Sequence, residues 1–271
     1  MSQQIKKGKV ISVFSSKGGC GKSFYSTYIP LGILKINPEE KILILDLCKN
    51  SSVAKEFGIS EVISNSVFDW YSSKGQKFKE CVKRFGNTNI YYMASNNDVD
   101  KLVEWTNENI RVNREYFLRK LIEPLKDYFD YIFIDNHPSQ NDDKSLYSIV
   151  AADTIVLATT AELSSMNATI QDINMVKEVQ EAVPHSLNYF IATNKVEFNK
   201  GDKKHIDTFY DQLINQGVKA EQLLPPIRYA TTIKRNKLYQ IFQDSKLREN
   251  RYVKNVLNDV FVHAREVMSY V

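Results

Sequence analysis

The sequence has only three cysteines, Cys20, Cys48 and Cys81, odd in number and without CxxC spacing. That excludes a disulfide framework and a cysteine-pair zinc site. Nowhere do about 18 apolar residues run together, so no membrane-spanning helix is expected. The opening MSQQIKKGK lacks an apolar stretch between its lysines and the first strand-like run, so no secretion signal is read there. No segment is biased enough to argue for disorder, and neither an internal repeat nor a linker is evident. With 271 residues, 43% apolar and 25% charged, the expectation is one cytoplasmic domain over 1–271.

Charge is small in total and uneven in placement. From Ile227 to Val271 nine Lys and Arg face four acids, so this last sixth carries +5, more than the whole chain's +4. A second basic stretch, SSKGQKFKECVKR, lies at 72–84. Such patches suit a polyanionic partner, or are solvated helix faces.

Apolar runs rich in β-branched residues recur at Val10–Phe14, Ile42–Leu45, Ile90–Met93, Tyr131–Ile134, Thr154–Ala158 and Tyr189–Ala192. They lack polar alternation, as strands covered on both faces do. Helical spacing separates them, best at Asn109–Tyr128, Leu163–Val183 and Arg251–Val271. The alternation predicts an α/β fold: a doubly wound, mostly parallel sheet with helices on both faces. Pro30 and Gly32 interrupt the first helix, where a kink or a locally wet turn is expected.

VISVFSSKGGCGKSFYS reads as strand, glycine-rich turn and helix start, the context of a phosphate-binding loop. Gly18, Gly19 and Gly21 let backbone N–H groups approach phosphate oxygens. Lys22 can reach the β and γ phosphates, and the Ser23 hydroxyl is placed to ligate Mg2+. The helix starting there, through Phe24, points its positive dipole end at the phosphates. A strict Walker A motif has glycine where Ser16 stands, and a second lysine, Lys17, lies just inside the loop.

Lys-Gly-Gly-x-Gly-Lys-Ser resembles the deviant Walker A box of the ParA/MinD family of partitioning and positioning ATPases. Further resemblances follow in the family's order: ILILDLCKNSS to its Asp-x-Asp segment, YIFIDNHPS to its Asp-x-x-Pro motif, YFIATNKV to its adenine-contacting strand end, and LLPPIRYATTIKRN to its proline-containing loop. The resemblance covers residues 10 to 236 and implies a P-loop NTPase fold, ATP and Mg2+ as ligands, and ATP hydrolysis. By it, Lys17 reaches across a sandwich homodimer to the partner's nucleotide, with Lys17, Lys22 and Asp46 the catalytic set. Ser23, Asp46 and Asp135 hold the Mg2+ shell, the loop from Lys17 through Cys20 to Phe24 wraps the phosphates, and Asn194 and backbone near Pro226 close on the adenine.

The chain departs from this pattern at Cys48, which stands where the family has a second carboxylate to orient the attacking water. A thiol with a pKa near about 8.5 is a poor acceptor at neutral pH, so weak or partner-dependent hydrolysis is expected. Lys49 and Asn50 replace the neighbouring Pro-Gln. His137, inside the Asp-x-x-Pro segment, either positions water or packs against the loop. Cys20 stands at the variable loop position and acts through its backbone.

The C-terminal region separates the family's branches. Val253, Val256, Leu257, Val260, Phe261, Ala264, Val267, Met268 and Val271 form a broad apolar stripe. Its width suits core packing better than the membrane-targeting helix of a MinD-like protein. No cysteine follows Cys81, against the cluster ligands of a nitrogenase-iron-protein-like chain. A ParA-like partition protein remains, binding DNA nonspecifically on the nucleoid through Lys234, Arg235, Lys237, Arg248, Arg251 and Lys254 and stimulated by a DNA-bound, ParB-like adaptor. Only nine residues precede the first strand-like run, so no N-terminal helix-turn-helix is expected. Two competing readings stay open, a noncatalytic nucleotide-gated scaffold, which Cys48 raises, and a MinD-like positioning ATPase at a membrane.

Overall fold

The computed structural model describes residues 7–59, 63–138, 143–197 and 199–270; Val271 of the stripe lies outside them. Eight strands form one sheet: β1 (Lys9–Phe14), β2 (Ile42–Asp46), β3 (Val82–Arg84), β4 (Ile90–Met93), β5 (Tyr131–Asp135), β6 (Thr154–Thr160), β7 (Asn188–Asn194) and β8 (Leu223–Leu224). Their order across the sheet is β3-β4-β2-β5-β1-β6-β7-β8. Every pairing is parallel except β3 with β4 at the edge.

Burial on both faces explains the apolar runs. In β1, Val10 and Phe14 enter one core layer with the helix Leu163–Ala182 and its neighbours, while Ile11 and Val13 enter the other. The second layer is roofed by the first helix, Lys22–Ile36, and the last, Arg251–Tyr270. Val253, Val256, Val260, Ala264 and Val267 of the last helix are all buried, so its apolar stripe is core. Gly32 makes the close helix contact possible: a Cβ there would stand 2.9 Å from the Ala264 Cβ. Pro30 is buried inside a first helix that continues through it to Ile36.

One expectation fails. The helix foreseen over Asn109–Tyr128 is instead a helix ending at Asn109, a turn with Asn113 at φ 51°, and the short helix Phe117–Ile122 followed by a 3-10 turn. Pro124 at the start of that turn has no N–H with which to continue the α-helix. The basic stretch 72–84 holds the edge strand β3, so part of its charge decorates a sheet edge, where charge discourages further pairing.

Candidate functional site

β1 lies centrally between β5 and β6, and the chain leaves its carboxyl end into the glycine-rich loop, at the reversal of strand order where open α/β sheets place ligands. Gly19 and Gly21 take φ of +83° and +91°, left-handed values that a side chain would strain. At Gly21 a Cβ would also stand 3.1 Å from the Asn194 Nδ2. Lys22 is buried, its Nζ donating to the carbonyls of Ser15 (3.0 Å) and Lys17 (3.2 Å), and burial lowers its pKa. An ammonium inside a ring of backbone groups is the charge distribution that receives a polyphosphate.

β2 and β5 end in register on Asp46 and Asp135. Both carboxyls are buried. Burial pushes Asp135 up to about 6, and raises Asp46 well above the usual range, with the neighbouring Asp135 charge adding to it. The hydroxyls of Ser23 (2.7 Å) and Ser26 (3.1 Å) donate to Asp135. Asp46 accepts the N–H groups of Cys48 (2.9 Å) and Val53 (3.0 Å) and so shapes the loop after β2. Two buried carboxyls and a hydroxyl form an all-oxygen donor set suited to a hard divalent cation that keeps several waters, so these residues fit Mg2+. No cluster of three or more His, Cys, Asp or Glu that could hold a metal occurs among the described residues.

Cys48 is buried, with its Sγ 3.8 Å from the His137 Nδ1 and accepting a contact from the Ser52 hydroxyl at 3.5 Å. Burial raises the thiol's pKa, so it is a neutral group where a carboxylate would act as acceptor. Lys17 sits on the outer rim, its Nζ on Glu162 (2.8 Å) and the Ser164 hydroxyl (2.6 Å). Gly18 faces the Asp135 motif, since a Cβ there would meet Pro138 at 3.9 Å. Cys20 is buried and contributes its carbonyl to Asn194.

Beyond the loop, a cavity of about 160 Å3 is bounded by Gly21, Phe24, Tyr28, Asn194, Glu56 and the segment Ile227–Ala230. Asn194 donates to the Cys20 carbonyl (3.0 Å), while its Oδ1 has no partner. The backbone wall begins one residue after Pro226. Of the six basic residues proposed for DNA, Lys234 borders this cavity, Lys237 is paired to Glu56 (2.8 Å) and Lys254 to Glu249. Arg235, Arg248 and Arg251 are exposed and make no ion pair among the described residues.

Sequence reasoning missed Asp172 and Lys195. Asp172, buried on the helix Leu163–Ala182, accepts the Ser16 N–H at 3.0 Å and so fixes the loop where a strict motif has glycine. Lys195 donates to the Gly19 carbonyl. Neither has a local signal, since each acts on a loop more than 150 residues away; an acid or base facing that loop is visible only in the fold.

Sheet order, loop and buried carboxyls together define a P-loop NTPase fold. Residues 8–189 match the AAA domain family. The sporulation initiation inhibitor protein Soj of Bacillus subtilis (strain 168) is 23% identical over 179 residues, covering 64% of this chain and 67% of that protein. The chromosome-partitioning ATPase Soj of Treponema pallidum (strain Nichols) is 24% identical over 182 residues, 67% of this chain and 68% of that one. The structure of the ATP complex of Cyanothece McdA shares the fold with a TM-score of 0.77 at 20% identity, covering 97% of each chain. The chain belongs to the AAA domain family and, within it, to the ParA/MinD group of P-loop ATPases. No helix among the described residues is long and apolar enough to cross a membrane.

Proposed function

We propose that this chain is an ATP-dependent partition switch: it binds ATP with Mg2+, closes a sandwich homodimer, and in that form holds duplex DNA without sequence preference on the nucleoid. The observation that carries the reading is the pairing of two lysines in one loop, Lys22 buried on the loop's carbonyls and Lys17 on its outer rim. Lys22 exchanges the Ser15 and Lys17 carbonyls for β and γ phosphate oxygens, while the loop N–H groups hold the remaining ones. Ser23 and Asp135, with Asp46 behind them, are the residues that would hold Mg2+, which when bound neutralises phosphate charge. Lys17 leaves Glu162 and reaches the partner's nucleotide. Asn194 and the backbone after Pro226 take the base.

DNA binding is assigned to Lys234, Arg235, Lys237, Arg248, Arg251 and Lys254, all exposed and four of them without an ion pair among the described residues. Contacts from such residues go to phosphates and release counterions, so affinity falls steeply with salt. Binding of a random duplex is the test: ATP should raise the affinity and doubling the salt should cut it sharply. Indifference to both sinks the DNA assignment.

Hydrolysis is weak or depends on a DNA-bound adaptor, because Cys48 offers a neutral thiol where water must be oriented. The same observation supports the second reading, a nucleotide-gated scaffold without turnover. Phosphate release with and without DNA and a cognate adaptor separates the two, since a scaffold is silent throughout.

A further inference from the structure

Three buried polar side-chain atoms among the described residues have no hydrogen-bond partner, and two of them, the Asn194 Oδ1 and the Tyr28 hydroxyl, belong to residues lining the same cavity. An orphaned buried hydroxyl is costly, so its persistence needs a cause. Tyr28 and Asn194 are each 1% exposed, so water does not satisfy them from bulk. The charged acceptor in that wall, Glu56, is already engaged: it accepts from the Lys237 Nζ at 2.8 Å and the Leu238 N–H at 3.1 Å. Stacking on Phe24, with centroids 4.3 Å apart and planes at 25°, holds the Tyr28 ring. Tyr28 also borders a groove behind the first helix, but its stacking partner Phe24, like Glu56 and Asn194, lines the cavity and not that groove.

We propose that Tyr28 is a base-selecting residue of this nucleotide site, its hydroxyl donating to a ring nitrogen of the purine while the Asn194 Oδ1 accepts from the exocyclic amine. The inference rests on the nucleotide-binding reading above. It assigns the two orphaned atoms complementary tasks: an acceptor for the amine that marks adenine, and a donor for N1 or N7. Guanine carries a carbonyl where adenine has its amine, and would set an acceptor against an acceptor.

Tyr28→Phe removes the hydroxyl and keeps the ring, and two measurements read it. Titration in Mg2+ should show ATP binding weakened about fivefold, the size of one neutral hydrogen bond, with inorganic triphosphate unaffected. Of 1-deaza-ATP and 7-deaza-ATP, one should bind the unmodified chain more weakly than ATP yet be insensitive to Tyr28→Phe. Thermal melting without nucleotide should show the variant as stable as the unmodified chain or more so, because a buried unsatisfied group has gone. Unchanged ATP affinity, or a lowered melting temperature that reveals a protein partner for the hydroxyl, overturns the inference. So does equal sensitivity of both deaza analogues to the substitution. An unmodified chain that binds neither ATP nor triphosphate sinks the nucleotide reading itself and this inference with it, whereas normal ATP binding by both chains sinks the inference alone.

Discussion

Replacing Cys48 by aspartate should speed turnover. The side chain sits in a pocket 6% exposed, its N–H donates to Asp46 at 2.9 Å, and the His137 Nδ1 lies 3.8 Å from the sulfur. A carboxylate there regains an acceptor for water, and a positioned group of this kind contributes about 10^2 to 10^4 in rate. Lys49 and Asn50 still differ from the family, so a gain of about 100-fold, at the low end, is expected. The same change sets a third acid beside Asp46 and Asp135, whose carboxyls burial already keeps above their usual range. That crowding should cost about 2 kcal/mol of stability without nucleotide. Phosphate release at saturating ATP and Mg2+, in the presence of DNA, measures the first effect and urea denaturation the second. Cys48→Ser is the control, losing the thiol without gaining a carboxylate. If Cys48→Asp binds ATP normally yet releases phosphate no faster than Cys48→Ser, the thiol does not limit turnover.

Further expectations concern the packing behind the site. His263 is buried between the Tyr25 hydroxyl (3.2 Å) and the Pro225 carbonyl, and burial lowers its pKa to about 4 from 6.5. A depressed histidine stabilises the fold above pH 6.5, and that contribution is lost as pH falls from 6.5 towards 4, by up to about 3 kcal/mol. Urea midpoints at pH 7, 5.5 and 4.5 should therefore fall more steeply for the unmodified chain than for His263→Gln; parallel slopes contradict this. Gly32→Ala should destabilise by about 1–2 kcal/mol despite alanine's better helix propensity, because its Cβ would meet Ala264 at 2.9 Å and Val260 at 3.3 Å. A variant as stable as the unmodified chain would mean the two helices separate freely. Asp172→Asn weakens the acceptor of the Ser16 N–H and should lower ATP affinity several-fold by titration, while unchanged affinity would make Asp172 a core residue only.

Much of the sheet was legible because its central strands are covered on both faces, so Val10–Phe14 and Thr154–Ala158 carry one polar residue each, Ser12 and Thr154, both buried, and no polar alternation to confuse the reading. The short edge elements left no such trace: β3 is three residues, two of them basic and exposed, and β8 is two. Between Asn109 and Tyr128 the helical spacing of apolar residues is real but serves separate turns, interrupted at Asn113 and Pro124. In the site, glycine spacing and the two lysines announced the loop, since those residue types are required locally by backbone and charge. What Asp172, Lys195 and Glu162 do to that loop depends on chain segments brought there by the sheet, and no spacing in the sequence encodes it. The role of Tyr28 was hidden differently, because an aromatic in an apolar helix reads as core until its hydroxyl is found without a partner.

Lys17 distinguishes a dimerising switch from a simple phosphate-binding loop, and its resting contact with Glu162 is within its own chain. Light scattering on the eluting protein, with a nonhydrolysable ATP analogue and Mg2+, measures this directly. The unmodified chain should show a monomer mass without nucleotide and twice that mass with the analogue, and Lys17→Ala a monomer in both conditions. An unmodified chain that keeps one mass with and without the analogue, or a Lys17→Ala variant that doubles with it, would mean that Lys17 does not couple ATP to dimerisation.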